Sequence, residues 1–226
     1  MKYKPTPQPP AAAGSSPAET KRRILDAAET LLAQHGVEGV SSREITRAAG
    51  VNLAAINYHF GTKQALIEEV FSRRLTPLNQ KRLALLNEVE RQAQDQSFKL
   101  EAVLEAFIRP AVEQGFNCQS GNNSFMRLIG RCLSEPGAQL ETLIYTHFAE
   151  LARRFDIAFR RALPELAPEE LVWRLWFIVG ALHHSMLIYT NVDSLPGRRP
   201  KRLNAEGLVQ RLIAFSAAGL TASVSP

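Results

Sequence analysis

Cysteine is scarce in this 226-residue chain: Cys118 and Cys132 are the only two. They have neither zinc-ligand spacing nor the density of a secreted disulfide scaffold, so a reducing cytoplasm is the expected setting. Also missing is any run that alternates apolar and polar residues between hairpin turns, which excludes a β architecture. The N-terminus lacks the apolar core of a signal peptide. No later stretch approaches the ~20 uninterrupted apolar residues of a membrane span, so no membrane partner is expected. Catalytic signatures are absent as well. There is no G-x-S-x-G, no P-loop and no glycine-rich dinucleotide turn. His183 and His184 are adjacent in sequence, about a quarter-turn apart on a helix, whereas helical zinc histidines favour i and i+4. Cys118 or Cys132 with His147 has no spacing that supports a nucleophile and base. The expectation is a non-enzyme with no cofactor and no metal.

What is present is ordinary for a globular chain: 45% hydrophobic and 22% charged residues. A net charge of +5 and a pI near 9.5 suit an anionic partner without identifying one. Residues 1–17 hold five prolines among small and polar residues. Such a segment buries too little apolar surface to offset its ordering entropy, and it reads as a disordered tail.

Helical periodicity governs the rest. Ile24, Ala28, Leu31 and Leu32 form one stripe in a first helix from about Ala18 to His35, ended by Gly36. Lys21, Arg22 and Arg23 sit at its start, the unfavourable end for cations on a helix dipole. They are either near phosphates or a solvated cluster. The stretch from Ser41 to Lys63 then reads as two short helices joined by a tight turn. Ser41 with Glu44 forms a capping box, and Ile45, Ala48 and Ala49 make one apolar face before Gly50. Asn52 can cap a second helix from Leu53 to about His59. Its Val51, Ile56 and Phe60 face inward, which leaves Leu53, Ala54, Asn57, Tyr58 and His59 outward. An exposed face of small residues admits close approach, and an outward Asn can bond adenine N6 and N7 in the major groove. Thr62 caps the next helix, whose N-terminus beside Lys63 suits a phosphate.

This segment resembles the N-terminal domain of the TetR family of bacterial transcriptional repressors. The residues that carry the likeness are Ser42, Arg43, Ile45, Ala49, Gly50, Val51, Tyr58, His59, Phe60, Gly61, Thr62 and Lys63. The resemblance implies a double-stranded DNA partner. It implies phosphate contacts at Ser42, Tyr58, His59 and Lys63, and base proximity at Arg43, Leu53, Ala54 and Asn57. Most members have a tyrosine at the position of Asn57, so its role rests on amide chemistry alone.

The fold expectation is all-α, in three parts. Residues 1–17 are the tail, 18–62 a three-helix helix-turn-helix domain, and 63–226 a helical effector-binding and dimerisation domain. A long element from Lys63, kinked or ended at Pro77, links the two ordered parts. Further helices are expected at roughly 98–116, 124–134, 138–163, 168–190 and 203–220, with loops at 117–123 and 191–202. Phe107, Phe125, Phe148 and Trp176 could line a pocket for a hydrophobic effector, with Arg127 and Arg131 at i and i+4 near an anionic head group; at any one of these positions ordinary packing, or an Arg paired with a glutamate, is the stronger reading. The runs FMRLIGRCLSEP and WRLWFIVGALHHSM are similar to a branch of the family that answers to long-chain fatty acids or their acyl-CoA thioesters. The apolar helix from Leu171 to Ile188, with Trp173, Phe177, Gly180, His184 and Leu187, could pair with Leu212 and Phe215 of the last helix across a homodimer, as the family arrangement implies. Burial within one subunit is the other reading. The function expected is a dimeric repressor released from a palindromic operator by a hydrophobic effector. The alternative is a ligand-insensitive DNA-binding protein whose C-terminal half only dimerises.

Overall fold

The computed structural model describes residues 16–93, 98–117, 124–134, 138–189 and 201–223. The expected tail and both expected loops fall largely outside these residues. Among them, all regular structure is helical.

The first three helices pack on one another as a small unit. α1 (Pro17–His35) begins at the last residue of what the composition assigns to the tail. Ser16 Oγ accepts the Glu19 N–H at 3.2 Å, and Pro17 occupies the first turn, where its missing N–H costs nothing. α2 (Ser42–Ala49) carries the capping box: Ser41 accepts from the Glu44 amide, while Glu44 Oε2 accepts from Ser41 N at 2.8 Å. Of its expected apolar face, Ile45 and Ala49 are buried but Ala48 is exposed; Thr46 is buried instead, its hydroxyl donating to the Ser42 and Arg43 carbonyls. α3 (Ala54–Phe60) starts where Asn52 Oδ1 accepts the Ala55 N–H at 3.0 Å.

α4 (Lys63–Ala93) follows, capped by Thr62, whose Oγ1 accepts the Ala65 N–H at 3.0 Å. It runs through Pro77 as one element of 31 residues, about 46 Å at ~1.5 Å per residue. Its first half buries Leu66, Ile67, Val70 and Phe71, and its second half Leu78, Arg82 and Leu86. Leu85 points outward. α5 (Leu100–Asn117), α6 (Ser124–Ser134), α7 (Ala138–Ala162), α8 (Pro168–Tyr189) and α9 (Ala205–Thr221) complete the chain. α5 packs on α4 and α9, α7 on α4, and α1 on α6 as well as α2, so one buried cluster spans the first three helices and the larger half.

Ion pairs tie the helices to one another. Glu29 of α1 is gripped by Arg73 Nη2 at 2.6 Å and by Arg74 at 3.0 Å, both on α4. Arg109 of α5 bonds Glu105 on its own helix and Glu206 of α9, at 2.7 Å for the latter; that contact holds the Glu206 carboxyl down to about 2. Arg174 of α8 bonds Glu170 and donates to the Gly219 and Leu220 carbonyls at the end of α9. α8 is, contrary to the sequence expectation, long and apolar enough to cross a membrane by length and composition. The buried Arg174 and the packing of the helix on α9 and α6 belong instead to the core of a helical assembly.

Candidate nucleic-acid interface

The outward row on α3 is built by one buried residue and two glycine turns. Ile56 is buried between α1, α2 and α4, which fixes the rotation of the short helix. That rotation leaves Leu53, Ala54, Asn57 and Tyr58 exposed, with Leu53 at 44% and Tyr58 at 78% exposure. A tyrosine so exposed contributes little to folding and is free to meet a partner. His59 is half-buried with its ring edge-on to Tyr58 at 4.9 Å. Ser42 is half-buried and Arg43 exposed at the start of α2, close to the free N–H groups of that helix end. Asn52 is exposed, but its carbonyl oxygen is occupied by the cap.

Gly50 ends α2 with φ 63° and ψ 40°, the left-handed region where a Cβ meets the following carbonyl. Arg23 reaches across from α1 and donates to the Ala49 carbonyl and, at 3.1 Å, to that of Gly50. A charged donor thus satisfies the orphan carbonyls at the end of α2 and ties the turn to α1. This reassigns the basic run at the start of α1. Arg23 is a turn clamp, Lys21 pairs with Glu69 at 2.5 Å and lies over the Phe60 ring, and Arg22 forms exposed pairs with Glu19 and Asp26. None of the three is held out for phosphate. Sequence spacing does not reveal Arg23's role, because its partners lie 26 and 27 residues away.

Lys63 is half-buried, and its Nζ donates to the Val37 carbonyl at 3.1 Å. An ammonium has three protons, so this bond orients the charge at the mouth of α4 and leaves two for another acceptor. The Glu44 carboxyl is held below the ordinary carboxylate range by the Ser41 hydroxyl and then by the Ser41 amide, so the capping box is stable in its charged form.

The expected effector and dimer residues separate into groups. Phe107 is half-buried between the Arg82 guanidinium, 4.4 Å away, and the Phe155 ring at 5.2 Å, and Phe148 is half-buried. Phe125 is core instead, packed on Phe71 at 6.3 Å where α6 meets α4. Arg127 is exposed and points away from any interior site, because the inward stripe of α6 is Phe125 and Leu128. The Arg131 side chain lies outside the described residues. Trp176 does not line a pocket: it is 60% exposed and shares the outer face of α8 with Trp173 at 64% and Phe177 at 66%. The inner face is Leu171, Arg174, Ile178, Leu182 and Met186, spaced by three or four residues, so a helix apolar on both sides offers no polar face to orient it. Gly180 and His184 are exposed on the outer side, and Leu187 is half-buried. On α9, Phe215 is 64% exposed whereas Leu212, at 6%, faces the interior and cannot be an interface residue.

An all-helical chain with a short outward helix clamped behind a glycine turn, carried on a long helix that enters a second helical half, is a helix-turn-helix DNA-binding regulator in class. Residues 24–70 match the model of the bacterial regulatory proteins of the tetR family, and residues 105–219 match that of the tetracyclin repressor-like C-terminal domain. The chain belongs to the TetR family, whose members are transcriptional regulators and not enzymes. It is similar to the HTH-type transcriptional repressor AcnR of Corynebacterium glutamicum, 40% identical over 55 residues that make up 24% of this chain and 29% of AcnR. It is also similar to the HTH-type transcriptional regulator AcrR of Shigella flexneri, 45% identical over 53 residues, 24% of this chain and 25% of AcrR. The match therefore spans less than a third of either relative. The fold as a whole is similar to that of the fatty acid degradation regulator FadR of Bacillus halodurans, with a TM-score of 0.62 and 17% identity over 90% of this chain and 99% of that one.

Proposed function

We propose that this protein is a cytoplasmic, homodimeric transcriptional repressor that binds a palindromic operator and is released by a small hydrophobic effector with an acyl chain. The observation that carries the reading is the exposed row on α3, Leu53, Ala54, Asn57 and Tyr58, set by buried Ile56. In this reading α3 enters the major groove, Arg43, Leu53, Ala54 and Asn57 lie at base edges, and Ser42, Tyr58, His59 and Lys63 fix the register on phosphates. Asn52 serves by capping α3 at the groove. Two readers on one dimer meet half-sites about 34 Å apart, so the exposed aromatic face of α8 with Phe215 of α9 supports a two-fold partner copy. The half-buried Phe107 and Phe148 support an effector site between α4, α5 and α7. The name of FadR supports a fatty-acyl effector only at the level of a shared fold.

Release follows if the effector binds one arrangement of α4 better than the other, since α4 carries both the effector wall and the reader. Selection of random duplex DNA on the purified protein tests the core of the reading. A palindrome enriched without acyl compounds and lost in their presence is the expected outcome. Lys63→Ala should weaken binding to every sequence and lower the salt slope by about one unit, while Asn57→Ala should also relax preference at one base position, at roughly 1–3 kcal/mol. Equal loss on cognate and scrambled DNA for Asn57→Ala would remove that side chain from the base-reading set.

A further inference from the structure

Among the arginines whose side chains are three-quarters or more buried, Arg73, Arg109, Arg154 and Arg174 each meet a carboxylate. Arg82 does not. It is 5% exposed in the middle of α4, its Nε donates to the Phe107 carbonyl at 2.8 Å, and its guanidinium carbon lies over the Phe107 ring, 4.4 Å from the ring centre. Among the described residues no acidic side chain comes within ion-pair distance of it. Burial without a counter-charge pushes even this guanidinium down to about 10. A second deficit lies one turn away. Asn79, on the same face of α4, donates its amide to the His147 carbonyl of α7 at 2.7 Å; its Oδ1 and His147 Nε2 are both buried with no partner. Unmatched polar atoms of this kind are uncommon in folded proteins, because each loses its water without replacement. Three deficits, one of them a full charge, thus lie along α4 and α7, and the Phe107 ring over which Arg82 lies is itself packed on Phe155.

We infer that Arg82, with Asn79 and His147, is the head-group site for the effector, and that the effector is a monocarboxylate with an apolar body. This rests on the effector-released reading above and narrows its ligand. A carboxylate accepts two parallel N–H bonds from one guanidinium and a third from an imidazole N–H, while Asn79 Oδ1 takes a water or a donor on the ligand. One buried cation balances one negative charge. A phosphate dianion would leave the second charge uncompensated in the same low-dielectric interior. The aromatic pair Phe107 and Phe155 then meets the apolar body, and Arg82 on α4 converts head-group binding into a force on the helix that ends at the reader.

The test is calorimetric titration of the full-length protein with sodium decanoate, 1-decanol and decyl phosphate, on wild type and on Arg82→Met. Decanoate should bind wild type and should weaken by about tenfold or more on Arg82→Met, while decanol should be weak on both. Arg82→Met removes an unpaired buried charge, so its melting temperature without ligand should stay level or rise. A marked fall would mark Arg82 as structural and overturn the assignment. So would decanol binding wild type as tightly as decanoate, or decyl phosphate binding more tightly, neither of which requires the variant to fold. Operator binding is followed separately. Arg82-dependent decanoate binding without DNA release keeps the site and defeats the release reading, whereas operator binding by a protein that takes up no carboxylate defeats the site alone.

Discussion

At the scale of single residues, Gly50 and Arg23 determine whether the reader is presented at all. Gly50 is left-handed, and a Cβ placed on it would lie 2.7 Å from Arg23 Nη2. Gly61 has a similar φ of 76° but nothing within 4 Å of the same added atom. The two glycines therefore separate conformational strain from collision. Gly61, at φ 76° and ψ −54°, lies outside the left-handed helical well, so Gly61→Ala should cost backbone strain without collision, on the order of 1–3 kcal/mol. Gly50→Ala should cost about 1–2 kcal/mol of left-handed strain plus the displacement of the guanidinium from the Ala49 and Gly50 carbonyls, roughly 1 kcal/mol more. Thermal melting of Gly50→Ala in the wild-type and Arg23→Ala backgrounds checks this, and equal losses in the two would mean that the Arg23 clamp contributes nothing. Arg23→Ala, which keeps both glycines, should lower operator affinity while leaving the C-terminal half folded. The glycine stop at position 50 is legible in the sequence because helix exits demand left-handed backbone. Its clamp is not legible, because nothing local pairs position 23 with position 49.

At the scale of helices, the question is how α4 stays in register with α1, against which the reader helices pack. The Glu29 carboxylate, 8% exposed, takes bonds from Arg73 and Arg74 at once, and Arg73 also holds Asp26 at 2.6 Å. Removing the acceptor leaves two arginines that are each a quarter to a third exposed and can recover water, so the loss is smaller than for a fully buried pair. Glu29→Gln should destabilise by roughly 2 kcal/mol, and denaturant melts measure it. It should also loosen the transmission from α4 to the reader, so that effector binding persists while its effect on DNA affinity shrinks. An unchanged coupling would place the transmission elsewhere, with the α1 and α6 contact next in line. Helix positions were legible to within a residue or two because period 3.6 and caps are local signals. Face assignment failed at Ala48, Trp176 and Leu212. Trp176 and Leu212 lie on helices whose apolar residues cover more than one side, and only the placement of neighbouring helices decides which side is inner.

At the scale of the whole molecule, the exposed apolar patch on α8 and α9 is the largest feature that one chain leaves unexplained. Val172, Trp173, Trp176, Phe177 and Phe215 are all between 46% and 66% exposed, on two helices that pack on each other. Monomeric proteins rarely leave aromatic residues contiguous in water, and four helices from two copies would cover them. These side chains contribute little to the folding of one chain, so Trp173→Glu with Phe177→Glu should leave a folded monomer, seen by light scattering and circular dichroism. Leu212→Ala, from the buried side of α9, should instead cost about 2–5 kcal/mol of folding stability. Each monomer of the double variant can occupy one half-site at a time, so the advantage of binding two readers together, about 10²- to 10⁴-fold, should vanish on the palindrome but not on an isolated half-site. A double variant that stays dimeric would move the interface off this face. One that is monomeric yet binds the palindrome as tightly as wild type would break the link between two-fold assembly and operator recognition, since half-site spacing then has nothing to match.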